Sequence, residues 1–435
     1  VNIGAISLII CKISGINNMS FSSLGLCKAI VENVTKQGYT SPTDIQARAI
    51  PAVLQQQDVV AIAHTGTGKT ASFTLPIIAL LSNDISKTVL VSGQVKALII
   101  APTRELAAQV LANIETYQQH INLRSVAVYG GVRIEPQLDA LAQGVDILVA
   151  TPGRLIDLYN RQAVNFDALQ ILVLDEADRM LDLGFIDDIK HIQTCLPKKR
   201  QTLMFSATFS KAIKTLAQTM LHQPLFIDVA TGHNPTKNIK QQLYVVDKAR
   251  KHEMLIYLLK QNNWQQVLVF CKTKRGADNL VAELAQVSVK AESIHANRTQ
   301  HARTIALDGF REGSLKVLVA TDIAARGIDI DDLPCVINVD LPYVAADYVH
   351  RIGRTGRAGA QGVAISLFSE DELKPLIAIE RLTGKTFKRE TLKGFALTSS
   401  SKVKDDDEYG NFEAHQVTKP RRRSLSDRPA KRQRK

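Results

Sequence analysis

Eight consecutive residues, Ala63-His64-Thr65-Gly66-Thr67-Gly68-Lys69-Thr70, follow a short apolar run at 59–63 and open a segment with helical apolar spacing. Strand, glycine-rich loop, helix is the context that a phosphate-binding loop requires. Gly66 and Gly68 let the backbone curl with its N–H groups inward, and the helix start adds partial positive charge where anionic oxygens would sit. With Thr65 and Thr67 completing the loop, Lys69 can reach the β- and γ-phosphates of a nucleotide, and the Thr70 hydroxyl can ligate Mg2+. Ala63 stands where the strict pattern has its first glycine. Taken alone, the stretch could be a glycine-rich turn with a chance lysine.

Two further clusters complement this loop. Asp175 and Glu176 end the apolar run Ile171–Leu174, the place from which a carboxylate can hold Mg2+ against the loop threonine. In this reading Asp175 ligates the metal, directly or through water, and Glu176 orients and polarises an attacking water. A solvated strand end is the plainer account of two adjacent acids; a third acid at Asp178 and the apolar lead-in argue against it. Further on, Arg351, Arg354 and Arg357 recur at steps of three among glycines, which keeps them near one face of a helical or turning backbone. Such a cluster could simply bind nucleic acid. It could also aim positive charge at a γ-phosphate, where an arginine finger supplies about 10³–10⁵ in rate; Arg354 and Arg357 are the candidates. Gln46, at a helix start after Gly38-Tyr39-Thr40-Ser41-Pro42-Thr43, offers an acceptor and two donors suited to adenine edges, and Tyr39 or Phe21 could cover a base face.

The elements that must position these residues follow a regular rhythm. Apolar runs at 97–100, 126–129, 147–150, 171–174 and 203–205 each end in a polar cluster and alternate with helical stretches. Near-continuous apolar strands of this kind mean a parallel sheet covered by helices on both faces, with ligands beyond the strands' carboxyl ends. The rhythm lapses at 230–238, read as a linker. It resumes with runs at 267–270, 317–320, 336–339 and 363–367, without a second phosphate loop. One nucleotide shared at an interface is the economical reading. The expected domains are 19–229 and 239–390, with a polar, basic, unfolded tail at 391–435.

Composition sets limits on the rest. The 435 residues suit two cores plus extensions, and no run of eighteen apolar residues predicts a membrane span. Five scattered cysteines argue for a reducing compartment and against zinc or a disulfide framework. Of the net charge of +12, +8 lies in 419–435, where nine basic residues face one acid, Asp427. That end is either a solubilising tail or a non-specific phosphate anchor. Residues 1–18 are apolar to Ile10, with Lys12 after the apolar stretch where a secretory leader would have its basic residues before it. They read as an upstream extension, with Met19 as a natural start.

Taken together, GYTSPTDIQ, AHTGTGKT, PTREL, Gly130-Gly131, TPGR, DEAD at 175–178, SAT, Gln300-x-x-Arg303, ATDIAARGID and HRIGRTGR resemble the DEAD-box ATP-dependent RNA helicases over about residues 19–385. The start MSFSSLGL and the short basic tail are similar to the bacterial RhlE-type branch. The resemblance implies two RecA-like domains that close on ATP, Mg2+ and RNA. Phe21, Tyr39 and Gln46 would recognise adenine. Lys69, Thr70, Asp175 and Glu176 would form the hydrolytic site, completed by Arg354, Arg357 and, toward the ribose, Asp329. Asp178, Ser206, Thr208 and His350 would couple nucleotide state to closure. Thr103, Arg104, Gly131, Thr151, Gly153 and Arg154 on the first domain, and Thr273, Arg303 and Thr321 on the second, would track the RNA backbone.

His64 and Asp44 depart from the family pattern at positions without a chemical role. Aromatic residues are 5% of the chain and no stacking platform is evident, which favours backbone tracking over base readout. The implied protein is cytoplasmic, with a monomeric core, and works on single strands and short duplexes in ribosome-assembly or RNA-decay assemblies. An annealing protein whose basic tail does the work, with ATP timing release, and a DNA helicase of the same superfamily are the competing readings.

Overall fold

The computed structural model describes residues 19–63, 66–84, 91–229, 238–325, 330, 332–356 and 361–397. The extension 1–18, most of the linker, and the end from 398 lie outside it. Strands β1 (Val59–Ile62), β2 (Ala97–Ile100), β3 (Ser125–Val128), β4 (Ile147–Ala150), β5 (Ile171–Leu174), β6 (Gln201–Ser206) and β7 (Leu225–Asp228) form one sheet. Strands β8 (Ile239–Val245), β9 (Val267–Phe270), β10 (Ala291–Ile294), β11 (Val317–Ala320), β12 (Cys335–Asn338), β13 (Gly362–Phe368) and β14 (Arg389–Glu390) form the other. Every ladder is parallel.

The strand orders are β3-β4-β2-β5-β6-β1-β7 and β10-β11-β9-β12-β13-β8-β14. Adding seven to each number in the first gives the second, so the second sheet repeats the topology of the first. β8 takes the place of β1 but carries no glycine loop at its end, in line with a single nucleotide site.

Burial on both faces explains the apolar runs. Val59 and Ala61 belong to one core cluster of the first sheet, while Val60 and Ile62 belong to the cluster on the opposite face. In the second sheet Val267 and Val269 separate in the same way from Leu268 and Phe270. Each buried aliphatic side chain contributes about 1.5–3 kcal/mol relative to exposure, so parallel strands of four residues need both layers of helices. Four strands, β7, β8, β10 and β14, were not expected from the sequence. β7, β10 and β14 include half-buried residues and β8 carries Lys240-Gln241-Gln242, so none of the four reads as a clean apolar run.

The second core also runs past residue 390, where the sequence reads as tail. Phe395 is buried, packs edge-on against Tyr257 at 5.6 Å and lies under the Arg250 guanidinium at 4.6 Å. Leu392 packs on the same core, but a few apolar residues interrupted by Lys393 and Gly394 form neither a strand run nor a helical repeat, which is why this closing contact is silent in the sequence.

Candidate functional site

β5, β6 and β1 are adjacent in the first sheet, so the ends bearing the acids, Ser206-Ala207-Thr208 and the glycine loop lie side by side. The loop curls through positive φ at Gly66 (82°) and Gly68 (87°). A Cβ on Gly68 would collide with the Gln46 amide, so only glycine fits there. Gln46 Nε2 donates to the Gly68 carbonyl at 3.2 Å, and its Oε1 accepts from the Thr43 N–H at 2.9 Å. Thr43 Oγ1 in turn donates to the Thr67 carbonyl at 2.7 Å. Gln46 thus closes a capping box on the helix Asp44–Leu54 and braces the loop. The structure packs Phe21 into the core at 4% exposure and leans Tyr39 against the Tyr117 hydroxyl. The aromatic cover for a base is the part of the adenine reading that the protein alone does not display.

Lys69 opens the helix Lys69–Asp84, with Thr70 half-buried beside it. The Lys69 ammonium is buried and has no hydrogen-bond partner among the described residues. A buried cation at a helix start, above inward-facing N–H groups, suits a phosphate oxygen. Asp175 is also buried, and burial pushes its carboxyl up to about 7; Lys69 opposes the shift, and Glu176 and Asp178 add to it. A carboxylate so placed is relieved by a cation. Among the described residues no group of three His, Cys, Asp or Glu could hold a metal alone. The oxygens that Asp175 and Thr70 carry suit an ion that takes its remaining ligands from nucleotide and water, the usual habit of Mg2+.

Glu176 has left-handed backbone (φ 50°, ψ 53°) and starts the helix Ala177–Asp182. The turn separates three neighbouring carboxylates. Asp178 points to β6: its Oδ2 accepts from the Thr208 N–H at 2.9 Å, the Thr208 hydroxyl at 3.0 Å and the Ala207 N–H at 3.2 Å. Ser206 Oγ closes the loop by donating to the Thr208 carbonyl at 2.8 Å.

Across from these groups lies the helix Ala345–Ile352 of the second domain. One cavity is lined by Glu176, Asp178 and Arg179 from the first domain and by Asp322, His350 and Arg354 from the second. Burial there holds the His350 imidazole down to about 4, with Asp178 opposing the shift and Arg179 adding to it, so the ring is neutral near pH 7. Arg351 serves the fold: it forms a two-pronged pair with Asp322 (2.5 and 2.7 Å), donates to Asn338 Oδ1 at 3.0 Å, and lies 4.9 Å from the centre of the Phe270 ring. Arg351 and Arg354 both line the cavity, and with Arg351 engaged by Asp322 and Asn338, Arg354 is the described candidate for a nucleotide phosphate.

The residues read as an RNA track divide into two groups. Thr103 and Thr273 cap helices, accepting from the N–H groups of Leu106 (3.2 Å) and Gly276 (3.0 Å). Thr151 begins the helix Pro152–Asn160, with Gly153 in its first turn; Thr321 precedes the helix Asp322–Ala325. Arg104 lies across Gly130-Gly131, donating to the Gly130 carbonyl at 3.4 Å, and a Cβ at Gly131 (φ 80°) would strike its guanidinium. Arg154 donates to the Val132 carbonyl at 3.1 Å. Arg303 is buried, and its Nη2 pairs with Glu105 Oε1 of the first domain at 2.9 Å. Its charge is committed to an interdomain ion pair. Glu105 was not singled out from the sequence; the one hint was an acid inside PTREL that no local partner needs. Thr65, Asp329 and Arg357 lie outside the described residues.

Residues 43–216 match the DEAD/DEAH box helicase family and residues 250–359 the helicase conserved C-terminal domain. The chain is 40% identical over 362 residues to the DEAD-box ATP-dependent RNA helicase RhpA of Helicobacter pylori, covering 83% of this chain and 72% of that protein. It is 41% identical over 374 residues to the ATP-dependent RNA helicase RhlB of Pseudomonas syringae, covering 85% and 94%. The structure of S. cerevisiae Dbp5 bound to RNA and ADP BeF3 superposes with a TM-score of 0.76 at 31% identity, covering 86% of this chain and 95% of that one. The chain belongs to the DEAD-box family of ATP-dependent RNA helicases.

Proposed function

We propose that this protein couples ATP hydrolysis to closure of its two domains on one RNA strand, and so separates short duplexes locally. The observation that carries this is the Asp178 carboxylate. It ties the end of β5 to Thr208 beyond β6, and it lines the same cavity as His350 and Arg354 of the second domain. A change at the nucleotide is thereby felt by both domains.

The glycine loop with Lys69 holds the phosphates, Gln46 braces the loop and reads adenine, and Asp175 with Thr70 holds Mg2+. When bound, the ion neutralises charge on the β- and γ-oxygens. Glu176 orients the attacking water and accepts its proton, and Arg354, joined by Arg357, stabilises charge developing on the γ-phosphate. Thr103, Arg104, Gly131, Thr151, Gly153 and Arg154, then Thr273 and Thr321, hold phosphates and sugars. Such contacts carry little sequence information. In this reading the domains span 19–229 and 239–390, the latter closed by Phe395, and the protein acts in the cytoplasm on RNA of ribosome-assembly or decay assemblies.

The test is ATP turnover by the full chain with no nucleic acid, with a single-stranded RNA, and with the same sequence as DNA, which lacks the 2′-OH. Strong stimulation by RNA alone is expected. Turnover insensitive to RNA would overturn the coupling, and equal stimulation by DNA would move the protein to the DNA-helicase reading.

A further inference from the structure

Tyr343 is 72% exposed, the most exposed large hydrophobic side chain among the described residues, and Val344 beside it is 53% exposed. The ring is nonetheless held: Lys272 Nζ lies 3.8 Å from its centroid, in cation–π contact. This pairing follows from the sheet. β9 and β12 are neighbours, the Val339 N–H donates to the Phe270 carbonyl at 3.0 Å, and the Lys272 N–H donates to Asp340 Oδ2 at 2.8 Å. The chain segments leaving both strands therefore run on together, one carrying the lysine and the other the tyrosine.

The position matters more than the exposure. β11, β9 and β12 are consecutive in the sheet, about 4.8 Å apart. Thr321 follows β11, Thr273 follows β9, and Tyr343 lies beyond β12. The tyrosine thus extends the line of backbone contacts by one strand. On the segment leaving β9, Lys272, Thr273, Lys274 and Arg275 are all exposed, and Asp340 is taken up by the Lys272 N–H and by Lys251 at 3.8 Å. Basic side chains flanking an open ring suit a ligand that brings phosphates and a flat π-face together.

We infer that Tyr343, backed by Lys272, is a stacking platform for one base of the bound RNA at the outer end of the second domain's backbone track. This rests on the RNA reading above and adds a base contact to it. Stacking accepts any base, since all have a π-face, so binding stays independent of sequence while requiring a base at that one position. Lys272 occupies one face of the ring and leaves the other to the nucleotide.

The experiment measures affinity of the full chain for a single-stranded oligouridylate, and for copies in which one nucleotide at a time is abasic, in wild type, Tyr343→Ala and Tyr343→Phe. Removing one stacked base is expected to weaken wild-type binding roughly five-fold or more at one position. Tyr343→Ala should weaken binding to the intact strand by a similar factor and erase the abasic penalty there, and Tyr343→Phe should keep both. Thermal unfolding midpoints of the variants check that the fold is intact. Equal affinity of Tyr343→Ala and wild type would overturn the platform and leave the ring to a protein partner; so would an abasic penalty that survives in Tyr343→Ala. Loss of RNA-stimulated turnover in the wild type would instead be a failure of the helicase reading itself.

Discussion

Glu176 pays a backbone cost of about 1–2 kcal/mol for its left-handed conformation, and the return is three carboxylates in three environments. Asp175 is buried toward Lys69, Glu176 faces the interdomain cavity, and Asp178 is bonded to the Thr208 loop. Roles assigned by environment follow the general pattern for acid and base groups. Glu176→Gln keeps the size and the backbone while removing the proton acceptor. ATP hydrolysis should fall by about 10²–10⁴ while ATP affinity, read by fluorescent-nucleotide titration, changes by no more than a few-fold. Unchanged turnover in this variant would remove Glu176 from the mechanism. At this scale the candidates were legible in the sequence because each pair is adjacent along the chain: Lys69 beside Thr70, Asp175 beside Glu176. What it did not reveal was Gln46 as a brace on Gly68 or Arg351 as a partner of Asp322. Those roles depend on which residue a side chain meets across the fold, and spacing along the chain carries no record of that.

The helix Ala345–Ile352 shows how one element divides its work. Arg351 pins it to its own domain through Asp322, and His350 turns toward the acids of the other domain. The His350 ring is lowered to about 4 by burial, with Asp178 and Glu176 opposing and Arg179 and Lys69 reinforcing. Glu176, Asp178 and Arg179 of the first domain line the cavity that holds the ring, so in the separated domains the ring is expected to return toward the ordinary value of about 6.5. A group with the lower value in the closed form favours closure fully above about pH 6.5 and disfavours it increasingly as pH falls toward 4. Closure measured by energy transfer between dyes on the two domains, with RNA and a non-hydrolysable ATP analogue, should therefore weaken between pH 7 and 5. His350→Gln should flatten the part of this dependence due to the imidazole, since both proteins keep Asp175. Identical profiles would exclude the ring as a source. The strands were legible where the residues run apolar, as at β5, β9 and the half-buried β3, and illegible where polar residues interrupt, as at β10 and β14, since a mixed pattern of two or four residues resembles a loop.

On the scale of the whole molecule, one topology is used twice and only the first copy keeps the glycine loop, so under the proposed function the second domain acts on a nucleotide it does not cradle. The link between them is explicit in Glu105 and Arg303, buried at 2.9 Å. Removing one partner of a buried pair costs about 3–5 kcal/mol at most, and here the loss falls on closure instead of the folding of either domain. Glu105→Gln should lower RNA-stimulated turnover and raise the RNA concentration needed for half-stimulation, with partial recovery in the charge-swapped Glu105→Arg, Arg303→Glu protein. Failure of both single variants to affect stimulation would show that the pair is not part of the working closed state. Charge is distributed as unevenly as the nucleotide site, with +8 of the net +12 carried by 419–435. If that segment anchors phosphates, deleting it should weaken RNA binding at low salt and make the plot of log affinity against log salt shallower by about 0.7 for each phosphate the segment neutralises. Turnover at saturating RNA should persist, because the residues proposed to hydrolyse ATP and track the strand all precede it. A slope unchanged by the deletion would leave the basic end as a solubilising tail, and all phosphate contacts would then belong to the two domains.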